Sequence, residues 1–174
     1  MDTDTLLEMR SERDLFFAEH YSSPLPEEHQ SGFEGLDYFA PDPAWVVSAL
    51  YERTEPTKIS VPSTAGNESL YTMMGTAHVE IGGRSYRLTV LDDGDGGAFI
   101  PFRDATCGDE TYGGGRYVGI EIAADRTATI DFNTAQNPWC VYDEEITCPL
   151  PPPGNVIAGP IRAGEMMYAG YDEN

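Results

Sequence analysis

Apolar and polar side chains alternate along most of the chain after Trp45, the two-residue period of strands with one face buried. The clearest case is Tyr71 to Ile81 followed by Arg84 to Leu91, joined by Gly82-Gly83. Two glycines supply the positive φ angles that a two-residue hairpin turn requires. Setting Ile81 opposite Arg84 places Val79 across from Tyr86, Ala77 from Leu88 and Gly75 from Val90. One face is then apolar and the other carries Thr76, His78, Glu80, Arg87 and Thr89. A slip of one residue would turn every apolar side chain outward. Trp45 to Arg53 and Thr57 to Pro62 read as two strands separated by Glu55-Pro56, and Ala98 to Phe102 as a short one.

A second hairpin is predicted from Arg116–Ile122 and Thr127–Asn133. Matching Val118, Ile120 and Ile122 with Ala128, Ile130 and Phe132 sets Ile120 opposite Ala128 and Val118 opposite Ile130. Ala123 to Asp125 is left as the loop, Tyr117 falls opposite Asp131, and Gly115 opposite Asn133. Arg116 then lies opposite Phe132, a guanidinium on an apolar face. Such a group is paired or binds something.

The helical period appears at Leu6 to Tyr21. Leu6, Met9, Arg10, Arg13, Phe17 and His20 run down one flank, and Leu7, Asp14, Leu15 and Phe16 extend the apolar face. Thr3 or Asp4 is the expected cap, and Pro24 and Pro26 end the element. Ser22 to Pro43 reads as loop, its Phe33, Tyr38 and Phe39 anchoring it onto the sheet. Asp92 to Gly97, DDGDGG, invites a calcium loop, but Gly97 stands where a ligand belongs and Ala98 where glycine is required, so turn chemistry is the better reading. The fold expected is mainly β: an antiparallel barrel or sandwich of seven or eight strands with one amino-terminal helix. Residues 1–174 form a single domain, 1–43 the helix and aromatic-anchored loop and 44–174 the β part.

Asp131 to Asn155, DFNTAQNPWCVYDEEITCPLPPPGN, departs from any period. It begins as strand, breaks at Asn137-Pro138, and reaches Pro151 to Pro153, which lack amide donors and belong at a surface or an edge. Cys140 and Cys148 lie within it. Their C-x7-C spacing is outside zinc-knuckle spacing, all three histidines lie in the first half of the chain, and no histidine is placed to activate Cys140. A disulfide is one reading; buried inert thiols are the preferred one.

Composition changes the picture chiefly through charge. Thirty acids against ten bases leave a net charge of −20, the acids are scattered rather than in blocks, and Lys58 is the one lysine. That surface suits molar salt, where the Debye length falls to about 3 Å, and points to the cytosol of an extreme halophile. It argues against nucleic acid, since no basic stripe exists to release counterions. The opening MDTDTLLEMR lacks the basic and apolar regions of a signal peptide, and no run is long enough to span a bilayer. The expected location is cytoplasmic, with no membrane partner, no metal and no cofactor.

Four motifs hold the remaining chemistry: PFRDATCGDETYGGGRY (Pro101 to Tyr117), DFNTAQNPWCVY (Asp131 to Tyr142), CPLPPPGN (Cys148 to Asn155) and IRAGE (Ile161 to Glu165). Together with Arg10, Asp14, Phe16, Phe17, Ser23 to Leu25, Phe33, Gly35, Leu36, Tyr38 and Phe39, they resemble the bacterial and archaeal domain-of-unknown-function family numbered 1684. Cys107 departs from the Ser or Asn expected of it. The resemblance implies no activity, only where the motifs lie.

Read physically, those motifs gather Arg103, Asp104, Glu110, Tyr112, Arg116, Tyr117, Asp131, Asn133, Asn137, Cys140, Tyr142 and Glu165. One reading is a ligand pocket at an end of the barrel, with Arg103 and Arg116 clamping a small anionic molecule and Asp131 or Glu110 serving as general acid–base. The other is a buried network of ion pairs and amides that secures irregular loops in a non-catalytic module. A cavity of ligand size with these side chains converging on it separates the two.

Overall fold

The computed structural model describes residues 2–170. Asp2, rather than Thr3 or Asp4, caps the amino-terminal helix α1 (Thr3–Glu19), accepting from the Thr5 amide at 3.0 Å. Only Leu6 and Phe17 of α1 are buried, while Leu7, Met9 and Leu15 face outward. The helix is docked largely by its arginines. Arg10 donates to the carbonyls of Phe39 at 3.0 Å and Asn133 at 3.2 Å, and stacks over the Tyr38 ring. A single further turn, α2 (Glu27–Gln30), follows.

Seven antiparallel strands form one curled, half-barrel sheet in the order β5-β4-β3-β2-β1-β7-β6. They are β1 (Val46–Pro62), β2 (Glu68–Ile81), β3 (Arg84–Asp92), β4 (Ala98–Phe102), β5 (Arg116–Gly119), β6 (Glu121–Ile122) and β7 (Thr127–Asp131). The β2–β3 hairpin has the expected register, with Gly82 and Gly83 at φ 59 and 73. The two strands anticipated on either side of Glu55-Pro56 are one, β1. A bulge between Arg53 and Thr57 absorbs the proline, where no ladder amide is needed.

The second hairpin is corrected. β5 pairs with β4, Val118 facing Ile100 and Arg116 facing Phe102. Of residues 116–122, only Glu121 and Ile122 pair with β7, with Ile122 rather than Ile120 opposite Ala128. β5 and β6 are almost continuous in sequence yet belong to opposite edges of the sheet, so Ile120 is the joint at which the sheet curls back on itself. Tyr117 and Gln136 then stitch the rims, exchanging amide–carbonyl bonds of 2.8 and 2.9 Å. Tyr117 faces Gln136 instead of Asp131. The connecting turn spans residues 123–126, with Arg126 at φ 71.

The curled sheet encloses Ala77, Leu88, Val90, Ile100, Phe102, Val118 and Ile130, plugged by Phe132, Ile157, Ile161 and Ala163 from irregular segments. A smaller cluster of Phe17, Leu25, Leu36, Val141 and Tyr142 lies beside it, with Phe33 and Tyr38 packed on its edge. The aromatic loop is therefore anchored on the helix and the carboxy-terminal segment, not on the sheet: Tyr38 bridges to Glu165, and the Phe39 amide donates to Gly164 O at 3.0 Å. Strand β7 stops at Asp131, whose carboxylate accepts from the Asn133 amide and turns Phe132–Thr134 into a 3-10 helix. Pro151 and Pro152 are buried and only Pro153 is exposed, contrary to expectation. A residue with no N–H leaves no orphan donor when buried.

Candidate functional site

Arg116 sits where alternation predicted, on the inner face, and is completely buried. Its charge is met by main chain. Nη1 donates to Ala163 O at 2.5 Å and Glu165 O at 3.0 Å, and Nη2 to Ile161 O at 2.8 Å and Asp104 Oδ1 at 3.4 Å. Asp104 is equally engaged, accepting from Ile161 N at 2.6 Å and from Thr106 N and Oγ1. Thr106 and Thr111 continue the network and are themselves sealed. Arg116 thus cross-links the start of β5 to the carboxy-terminal segment 161–165. It does not meet Asp131.

The other predicted residues fall into separate groups. Glu165 accepts from the Asn137 amide at 3.0 Å and side chain at 3.2 Å, with Arg13 at 3.5 Å. Burial pushes its pKa up to about 7. Asn133 exchanges two 2.9 Å bonds with the backbone of Asp42, and its Nδ2 also donates to Asp131. Glu110 lies at the surface in a two-pronged pair with Arg162 at 2.8 and 3.1 Å, whose hydrogen bond lowers its pKa, the wrong direction for a general acid. Arg103 is exposed and tied through its backbone to Asn155 and Ile157. Tyr142 packs edge-on against Phe17 at 4.7 Å, and Tyr112 is half-buried against the same cluster. Cys140 is buried beside Cys148.

No single pocket unites the twelve. Tyr117, Asp131 and Asn137 do border one groove, of about 1050 Å³. It runs over the outer face of the sheet where β4, β5 and β7 approach one another, and is roofed by residues 134–149. Phe99, Tyr117 and Gly119 alternate with the inward Ile100 and Val118, and Thr129 and Asp131 with Ile130, which is why they share this outer wall. Tyr71 and Trp139 add aromatic surface, and Asp92, Asp93, Asp95 and Glu121 add carboxylates. Phe99 and Tyr117 pack at 5.2 Å between centroids, and the Tyr117 hydroxyl donates to Pro149 O, fastening the roof to the sheet. Burial raises the Tyr117 pKa, so the hydroxyl stays a donor. None of the groove's lining residues is Lys, Arg or His.

Several residues of interest lie outside the twelve gathered from the sequence. Phe99, Trp139 and Cys148 line the groove, and the only advance signal for Phe99 was its place on the non-core face of a strand. Asn155 is fully buried and holds three segments together, accepting from Thr89 N at 2.7 Å and donating to Thr89 O and Pro101 O. Among the described residues no three His, Cys, Asp or Glu side chains are grouped to hold a metal ion. No described helix is long and apolar enough to cross a membrane.

The fold and its polar ties define a mainly β protein, a curled seven-stranded sheet with a helix docked at its side and a grooved outer wall. Residues 31–166 match the family described as Protein of unknown function (DUF1684), and the chain belongs to that family. The solution NMR structure of an uncharacterised protein from Haloarcula marismortui is 35% identical, covers 98% of this chain and 100% of its own, and superposes with a TM-score of 0.73. No curated protein matches.

Proposed function

We propose that this chain is a small-molecule-binding domain of a salt-adapted cytoplasm, and that the groove under residues 134–149 is its site. The observation that carries the reading is the character of the walls: aromatic rings beside carboxylates, without one basic side chain. Trp139, which lines the groove, is 45% exposed although most large apolar side chains are covered. Such a lining favours a compact organic cation with an apolar body, held by ring faces at about 0.5–2 kcal/mol each and by the surrounding negative field. An anion has no cationic partner there, because Arg103 and Arg116 lie elsewhere. Of the two acid–base candidates read from the sequence, Asp131 and Glu110, Asp131 borders the groove, and no reaction is assigned to it.

The test is thermal-shift titration at fixed KCl with tetraethylammonium and spermidine, set against acetate and phosphate. The cations are expected to raise the melting temperature of wild type, with the effect lost in Trp139→Ala. Stabilisation by the anions alone, or an equal response in Trp139→Ala, would refute the reading.

A second reading, a non-catalytic module whose polar residues secure loops, is supported by the hydrogen bonds that both Nη atoms of Arg116 and the Asp104 carboxylate make within the protein. It accounts for the buried cluster whatever the groove holds. The absence of any response to the cations, with Arg116→Ala strongly destabilised, would favour it.

A further inference from the structure

The roof of the groove contains two reduced cysteines held against each other. The short 3-10 turn Trp139–Val141 folds Cys140 back so that its amide donates to Cys148 Sγ at 3.4 Å. Cys148 is fixed from the other side by Thr64, whose hydroxyl accepts from the Cys148 amide at 3.0 Å and whose amide donates to the Cys148 carbonyl at 3.0 Å. Both thiols are free and both residues are buried in the protein, yet only Cys148 borders the groove. The pair is therefore asymmetric: Cys148 borders the groove and Cys140 does not.

We propose that Cys148 and Cys140 are a peroxide-reactive dithiol, in which Cys148 meets a hydroperoxide entering by the groove and Cys140 resolves the product as a disulfide. The Cys148 thiolate attacks the terminal oxygen of the hydroperoxide. The O–O bond breaks, and the alkoxide leaves as the alcohol after taking a proton, so that Cys148 becomes a sulfenic acid. Cys140 sulfur then attacks the sulfenic sulfur, the S–S bond forms as the S–O bond breaks, and the departing hydroxide takes the Cys140 proton to become water. Two thiols and one hydroperoxide thus give one disulfide, one alcohol and one water.

The surroundings suit those roles. The neighbouring Cys140 side chain, with the amides of Cys140 and Trp139, brings the Cys148 thiol down to about 7 despite burial. The same neighbour, with burial, pushes the Cys140 thiol up. Cys107 serves as an internal control, since it contacts Asp104 and Thr111 rather than a second thiol.

The proposal needs the groove as a route but not any particular occupant, so failure of cation binding leaves it standing. Reduced protein is treated with stoichiometric hydrogen peroxide, and its three thiols are counted and mapped by mass spectrometry. The expected product lacks two thiols, carries an internal Cys140–Cys148 disulfide and retains an alkylatable Cys107. Cys140→Ser should stop at a sulfenic acid on Cys148 that dimedone traps, and Cys148→Ser should form neither product. Folded wild type should lose its thiols on the order of tenfold faster than the same protein in urea, a comparison needing no variant. Oxidation beginning at Cys107, a disulfide between two molecules, or equal rates for folded and unfolded chains would each overturn the assignment.

Discussion

Glu165 is 1% exposed, and the charged or titratable groups facing it are Arg13 from α1, Tyr38 from the aromatic loop and Arg116 from β5. Arg13 is near enough to count as a partner, but burial outweighs it and the carboxyl pKa rises from 4.5 to about 7. A folded-state pKa above the unfolded one means that the native protein prefers the protonated acid. The contribution is complete below about pH 4.5 and is lost as pH rises through about 7. The wild type is thus expected to lose up to roughly 3 kcal/mol from this one group between about pH 5 and about pH 8, and Glu165→Gln to be spared most of it. Urea unfolding of both proteins across that window is the measurement; parallel pH curves would show that Glu165 titrates as an ordinary carboxyl. Arg116 makes a complementary point about what a pattern can reveal. Alternation placed its charge inside, and Asp104, grouped with it from the sequence, is its carboxylate partner; its other partners are the carbonyls of Ile161, Ala163 and Glu165, in a segment with no period to read. The need for partners was legible; the carbonyls were not.

At the level of elements, the two hairpins differ in what fixes them. Gly82-Gly83 leaves β2 and β3 one short turn, so the turn and the apolar faces name the same register, and the structure has it. For β5, β6 and β7 the turn is loose. A shift of two residues keeps Val118, Ile120, Ala128 and Ile130 on the inner face, so alternation is blind to it, and equally blind to whether β5 pairs with β7 or with β4. Curling of the sheet, a property of all seven strands, made that choice. It also created the groove, which explains why the predicted site residues divided: Tyr117 and Asp131 went to the outer wall and Arg116 to the interior. The bulges of β1 and β2 that permit the curl are testable. A Cβ on Gly75 would fall 2.4 Å from Glu52 O and 2.7 Å from the Tyr51 ring, whereas one on Gly119 meets nothing within 4 Å. Gly75→Ala is expected to cost about 1–3 kcal/mol by overpacking, and Gly119→Ala about 0.5 kcal/mol or less in either direction. Equal costs by denaturant unfolding would mean that the close β1–β2 approach at the bulge is not needed.

For the molecule as a whole, charge decides how these parts cohere. With a net charge of −20 and a single lysine, few surface carboxylates can find a cation. The exposed pairs, Arg162 with Glu110 and Arg87 with Glu52, contribute little and weaken with salt. Arg116 and Asp104, sealed from solvent, are screened far less. Raising ionic strength therefore removes little attraction and much repulsion, since the Debye length shrinks from about 10 Å at 0.1 M to about 3 Å at 1 M. The melting temperature should climb steeply with KCl over that range. Sucrose at matched osmolality strengthens burial without screening charge, so it should reproduce only a small part of the gain. Substituting Gln at the exposed Glu8, Glu12, Glu27 and Glu28 takes the net charge from −20 to −16 and should raise stability in low salt while flattening the KCl response. A melting temperature indifferent to KCl, or a variant as salt-dependent as wild type, would mean that the acidic surface is not what opposes folding. In the other outcome the same negative surface that limits stability at low salt also surrounds the groove and favours a cation within it.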